Sequence, residues 1–134
     1  MLLSAAVCQN LGPRQTRKRR LLGLLSFQIA VILSVIFIWL NVSDLVRATV
    51  FIPYFVAYLG VLQSLQKTCV ILAFQGKQNL DTNEEIVTEE LLRRKLKSKS
   101  IGILVLAMLL ALLCTYLTLA IHLEFMAWPQ QVAV

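Results

Sequence analysis

Three stretches of this chain stay apolar for long enough to cross a lipid bilayer, and none of them alternates. Residues 21–40 carry no charge in twenty positions. Residues 101–123 are similar apart from His122 near the end. A middle stretch, 48–74, is longer and less uniform, because Gln63, Gln66 and Lys67 interrupt it. A helix needs about 20 mainly apolar residues to cross a hydrocarbon core of about 30 Å. Continuous runs favour helices, which satisfy their own backbone groups, over a barrel, whose strands alternate with period two. The expected fold is all-α and membrane-integral: one membrane domain with three transmembrane helices at about 21–40, 48–74 and 101–123.

The polar connection 75–100 is expected to be largely helical. Gly76 is placed to close the second helix as a C′ glycine. Thr82 and Glu85 have capping-box spacing, which predicts a helix over 83–98. Glu89 with Arg93 and Glu90 with Arg94 are i,i+4 pairs in the favoured order. No proline or glycine stands between Thr82 and Ile101, so this helix is expected to run on into the third span. The alternative is a break near 98–100, with Leu91, Leu92 and Leu96 inserted along the membrane surface. Pro53 is expected to kink the second span.

Composition fits the class: 58% of the 134 residues are hydrophobic, above the roughly 45–50% of soluble domains. The charge pattern then orients it. Residues 1–20 hold five basic side chains, 75–100 hold six, 41–47 hold Arg47, and 124–134 hold none. Lysine and arginine gather on the cytoplasmic side, so the N-terminus and the connection 75–100 are expected inside and the C-terminus outside, in a bacterial or organelle inner membrane. Trp39 and Trp128 fall where outer interfacial aromatics belong. The apolar run 21–40 is too long for a signal-peptide core of about 7–15 residues, so it reads as a retained anchor. Residues 1–20 read as a short mobile cytosolic tail, with an organelle transit segment as the alternative.

Two sets of candidate residues follow. The first is a basic rim for anionic lipid headgroups: Arg17, Lys18, Arg19, Arg20, Lys67, Lys77, Arg93, Arg94, Lys95, Lys97 and Lys99. Within it Lys67 is read as snorkelling to the interface; a partnership with Gln28 inside the bundle is the rival. The second set serves helix packing: Gln28, Gly60, Gln63, Ser64, Ala107 and Ala111, where Gly60 with Ser64 and Ala107 with Ala111 have small-xxx-small spacing. His122 is expected at the outer interface near Glu124, Asp44 and Arg47. Cys8, Cys69 and Cys114 are too scattered for a disulfide or a metal site and read as small apolar residues.

No cofactor or metal is expected, and the basic residues lie too close to the bilayer for a nucleic-acid interface. Phosphoryl transfer would need carboxylates at the membrane surface, and Glu84, Glu85, Glu89 and Glu90 already have capping and pairing roles in this reading. The expected function is a small non-catalytic accessory or assembly subunit, whose partners are anionic lipids and other integral membrane subunits of a larger complex. A homo-oligomeric channel or holin-like pore is the alternative, and an intramembrane enzyme is the remote one. The charge split makes a topological prediction. A cysteine replacing Gln130 should react with an impermeant thiol reagent from outside, and one replacing Asn79 only after permeabilisation; the reverse labelling would overturn the orientation.

Overall fold

A computed structural model describes residues 10–79 and 84–132. Helix α1, Pro13–Trp39, starts with Pro13 at its first position, where the fixed φ suits the helix and the missing N–H would lack an intrahelical partner anyway. It ends before Asn41, whose φ of 51° turns the chain back. A single turn, α2 (Asp44–Ala48), and then α3 (Phe51–Leu65) follow. Next come the short α4 (Val70–Gln75), a hairpin of β1 (Lys77–Asn79) with β2 (Glu84–Ile86), and α5 (Glu90–Val132). The 43 residues of α5 make a rod of about 65 Å at about 1.5 Å per residue. Three helical segments, Pro13–Trp39, Asp44–Leu65 and Glu90–Trp128, are long and apolar enough to cross a membrane. That is the make-up of an all-α integral membrane protein.

Helix α3 is the middle of the arrangement. It packs extensively on α1 and on α5, while those two touch each other little. The α1–α3 crossing is made backbone to backbone at two glycines. A Cβ on Gly60 would lie 2.9 Å from Gly23 Cα and 3.0 Å from the Arg19 carbonyl oxygen, and one on Gly23 would lie 2.8 Å from Val61 N. Only glycine admits that approach. Beyond the crossing, Ala30, Val50, Tyr54 and Ala111 form the core where α1, α3 and α5 meet, with Ala57 and Ala107 also buried.

Hydroxyls inside the spans are satisfied locally. Ser34 Oγ donates to the Ala30 carbonyl at 2.8 Å and also meets Tyr54 Oη. Thr115 and Thr118 donate to the carbonyls of Ala111 and Cys114, and Ser100 to that of Leu96. Such i−4 bonds remove the cost of an unpaired hydroxyl in hydrocarbon without calling on water.

Four expectations need correction. The second span is not one helix over 48–74: it stops at Leu65, and Lys67 adopts a left-handed φ of 49° before the chain restarts as α4. The left-handed Lys67 lets the last turn close on itself, with the Thr68 N–H donating to the Gln63 carbonyl at 3.0 Å and the Lys67 N–H to that of Ser64 at 3.3 Å, while Lys99 Nζ and the Thr68 hydroxyl both donate to the Gln66 carbonyl just beyond. The helix expected over 83–98 begins only at Glu90, because 84–86 pair as a strand with 77–79 in antiparallel register. Thr82, its expected cap, lies outside the described residues, as does Cys8. Pro53 sits in the first turn of α3, where no intrahelical donor is lost, so it starts the helix instead of kinking it. Finally, the described part of the expected N-terminal tail is ordered, with α1 already begun at Pro13.

The continuity of the connection with the third span does hold: α5 runs unbroken through 98–100. Leu96 is not spread on a surface but packs with Ala73, Val87 and Leu92, fixing α4 and the hairpin to α5.

Two glycines give opposite predictions. Gly60→Val should destabilise the fold by about 1–3 kcal/mol or more, since overpacking here pushes against backbone. Gly102→Ala, where a Cβ meets nothing within 4 Å, should be neutral or stabilise by up to about 1 kcal/mol. Thermal unfolding in detergent measures both.

Candidate functional site

The path of the chain gathers its cations at one end. Helix α1 leads away from the first basic block, α3 returns, and α5 departs again from the second block, so the two blocks share an end. We call it the basic end.

Asn10 holds that end together. It is fully buried, and its side chain grips Cys69 from both sides: Oδ1 accepts from the Cys69 N–H at 2.7 Å and Nδ2 donates to the Cys69 carbonyl at 3.1 Å. Its backbone N–H and that of Leu11 both donate to the Lys67 carbonyl at 3.2 Å, and its own carbonyl accepts from Asn79 N at 2.8 Å. The start of α1 is thereby clipped to the turn after α3 and to β1. The Cys69 N–H, buried at the start of α4, would otherwise be an unpaired polar group.

The basic residues divide by what they touch. Lys99 binds the Gln66 carbonyl, a cation at a helix C-terminus where the macrodipole favours it. Lys77 pairs with Glu84 at 3.5 Å and Arg94 with Glu90 at 2.7 Å. The Arg93 guanidinium lies against Gly76, whose left-handed φ of 68° ends α4. Arg19 reaches Cys69 Sγ at 3.4 Å. Arg17, Lys18, Arg20, Lys67, Lys95 and Lys97 have no acidic partner among the described residues. Lys67 is exposed on its turn, not held inside the bundle.

Of the candidate packing residues, Gly60 lies at the α1 crossing, and Gln63, Ser64, Ala107 and Ala111 are buried. Gln63 keeps its Oε1 buried with no partner among the described residues. Gln28 departs from expectation: it faces outward and is exposed, because the crossing at Gly23 turns Ala30 and Ser34 toward α3 instead.

At the far end Arg47 is fully buried, donating to Asp44 and to the Val42 carbonyl, both at 2.6 Å. Its Nε and His122 Nδ1 are buried and unpartnered among the described residues. Glu124 is exposed. Among the described residues no three His, Cys, Asp or Glu side chains gather as a metal site would require.

Sequence reasoning missed Asn10. The helix start was detectable from Gly12-Pro13, but the side-chain partners of Asn10 lie 59 and 67 residues away, and no local pattern marks them. Known protein families, curated proteins and solved structures offer no match to this chain.

Removing the clip has a direct readout. Asn10→Ala would leave the Cys69 N–H unpaired, at a cost of about 1–3 kcal/mol, while the Cys69 carbonyl keeps the Ala73 N–H, and it should speed labelling of the fully buried Cys69 thiol by a membrane-permeant reagent. Unchanged labelling would show that the clip does not hold this end.

Proposed function

We propose that this chain is a small non-catalytic membrane subunit that sits with its basic end on the cytoplasmic, anionic leaflet of a bacterial or organelle inner membrane. Its N-terminus then faces inside, its C-terminus outside, and it docks a larger membrane complex through its outward helix faces. The observation that carries this reading is the convergence of both basic blocks at one end, beside apolar spans. Cations placed so gain about 1 kcal/mol each near a negatively charged leaflet, and Trp39 and Trp128 are exposed toward the other end, where interfacial indoles belong.

The docking role is supported by how little the layer buries of itself. Because α1 and α5 flank α3 and barely meet, their outer faces stay open, and the most apolar window of α1 is only 17% buried. A pore of identical chains fits less well. Ser34, Gln63, Thr115 and Thr118 are turned into the protomer, so a ring built on the outer faces would line its channel largely with leucine and isoleucine, Gln28 being the exposed amide among them. An enzyme fits less well too, since Glu84 and Glu90 are engaged with Lys77 and Arg94.

Purification of the full chain in mild detergent, with identification of what stays bound, tests the proposal. A stoichiometric complex with other integral membrane proteins is the expected result; a closed ring of this chain alone would favour the channel and overturn it.

A further inference from the structure

Two cavities open beside the first turns of α1 at the basic end, and their charges differ; a third, between Arg93, Arg94 and Lys97, has Glu90 in its wall paired with Arg94. One, of about 490 Å³, lies between Arg19, Cys69 and Lys77, but Glu84 stands in its wall and pairs with Lys77. That leaves Arg19 as its one cation without a carboxylate beside it. The other, of about 530 Å³, lies between the first turns of α1 and the end of α3 and is bordered by Arg17, Arg20 and Lys67 with no carboxylate. Three cations are therefore held around one space with no carboxylate among the described residues to neutralise them.

We propose that this second cavity is a binding site for a phosphate group, and specifically for the headgroup phosphate of an anionic phospholipid. The inference rests on the orientation proposed above and goes further, since it assigns one site and one ligand to a rim that could otherwise act only as a diffuse field. Four features carry it.

The charge is uncompensated, as described, and arginine presents a planar fork suited to phosphate oxygens. The volume falls within the roughly 300–1,000 Å³ of small-ligand pockets. The walls are fixed: the Lys67 carbonyl is bound by the N–H groups of Asn10 and Leu11, and Thr16 Oγ1 donates to the Gly12 carbonyl at 2.9 Å in the first turn of α1. Lastly, the cavity continues into apolar surface. Leu65 borders it and is largely exposed. Leu21 and Leu24 follow Arg17 and Arg20 at i+4, so the same helix face turns from cationic to leucine and both leucines are exposed. A soluble anion needs no such flank, whereas a phospholipid has acyl chains to lay on it. The start of α1, with no acid in its first turn, adds the positive end of the helix dipole on the same side.

The experiment compares lipid retention by the full chain in neutral detergent, using native mass spectrometry with phosphatidylglycerol and phosphatidylcholine as probes. The site variant is Arg17→Gln, Arg20→Gln, Lys67→Gln. Its charge-matched control is Lys18→Gln, Lys95→Gln, Lys97→Gln, drawn from the same end but outside the cavity. The parent should prefer phosphatidylglycerol, the site variant should lose that preference by about tenfold or more, and the control should keep it within about threefold. Lys67→Gln alone, at an exposed side chain with no ion-pair partner among the described residues, should weaken retention by about threefold with the fold intact; no change would overturn the proposal. Equal losses in site and control variants would overturn the cavity while leaving the general headgroup reading standing. A parent with no preference for phosphatidylglycerol would overturn both. Inorganic phosphate is the last arm: displacement of the lipid by phosphate but not by chloride at equal ionic strength supports phosphate recognition, whereas phosphate binding without any lipid retention would overturn the lipid assignment.

Discussion

The close approach of α1 and α3 at Gly23 and Gly60 is the constraint on which the basic end depends. With no side chain between them, the two backbones meet within van der Waals distance one turn below Arg19 and Arg20. That contact sets the register of α1 against the end of α3. Because it does, Asn10 falls beside Cys69, the Lys67 carbonyl falls beside the Asn10 and Leu11 amides, and Arg17 and Arg20 share a cavity with Lys67. In lipid, helices gain little from burying apolar surface against each other, so packing of small residues is what holds such a pair.

The three spans and the gathering of cations were legible in the sequence because both follow from one-dimensional rules: length of apolar run and position of basic residues. Gly60 was legible too, as half of a small-xxx-small spacing, but its partner Gly23 was not, since nothing in the run 21–40 distinguishes which face turns inward. The same gap misplaced Gln28. Hydropathy also could not show where the second span stops. Residues 68–74 are apolar enough to continue a helix, and what ends it is a left-handed turn at Lys67 whose carbonyl is taken by the Asn10 and Leu11 amides and whose neighbour Gln66 is bound by Lys99. The hairpin was hidden behind good local helix signals at Glu84 and Glu85. Strand pairing with 77–79 and burial of Val87 against Leu96 outweigh them, as tertiary contacts commonly outweigh propensities worth a few tenths of a kcal/mol.

Polar groups within the layer are treated in two ways. Hydroxyls close onto their own helix and cost little. Arg47, Gln63 and His122 instead keep one buried atom each without a partner among the described residues, and Arg47 and His122 lie toward the end opposite the unpaired cations. The two ends thus differ: one carries exposed cations without acidic partners among the described residues, and the other buries Arg47 beside the exposed carboxylate of Asp44. This asymmetry is what a chain needs if one end is to lie on charged headgroups and the other is to close off.

The most direct test is a pair of distances measured by electron–electron double resonance on the full chain in bicelles. Spin labels at Lys18 and Lys95 sit on the two helices that flank α3 at the basic end, so they should lie on the order of 20 Å apart, about two interhelical spacings. Labels at Lys18 and Leu123 should be separated by at least about 30 Å, the thickness of the hydrocarbon core. A Lys18–Lys95 distance longer than the Lys18–Leu123 distance would contradict the convergence of the two basic blocks, and with it the account of the basic end.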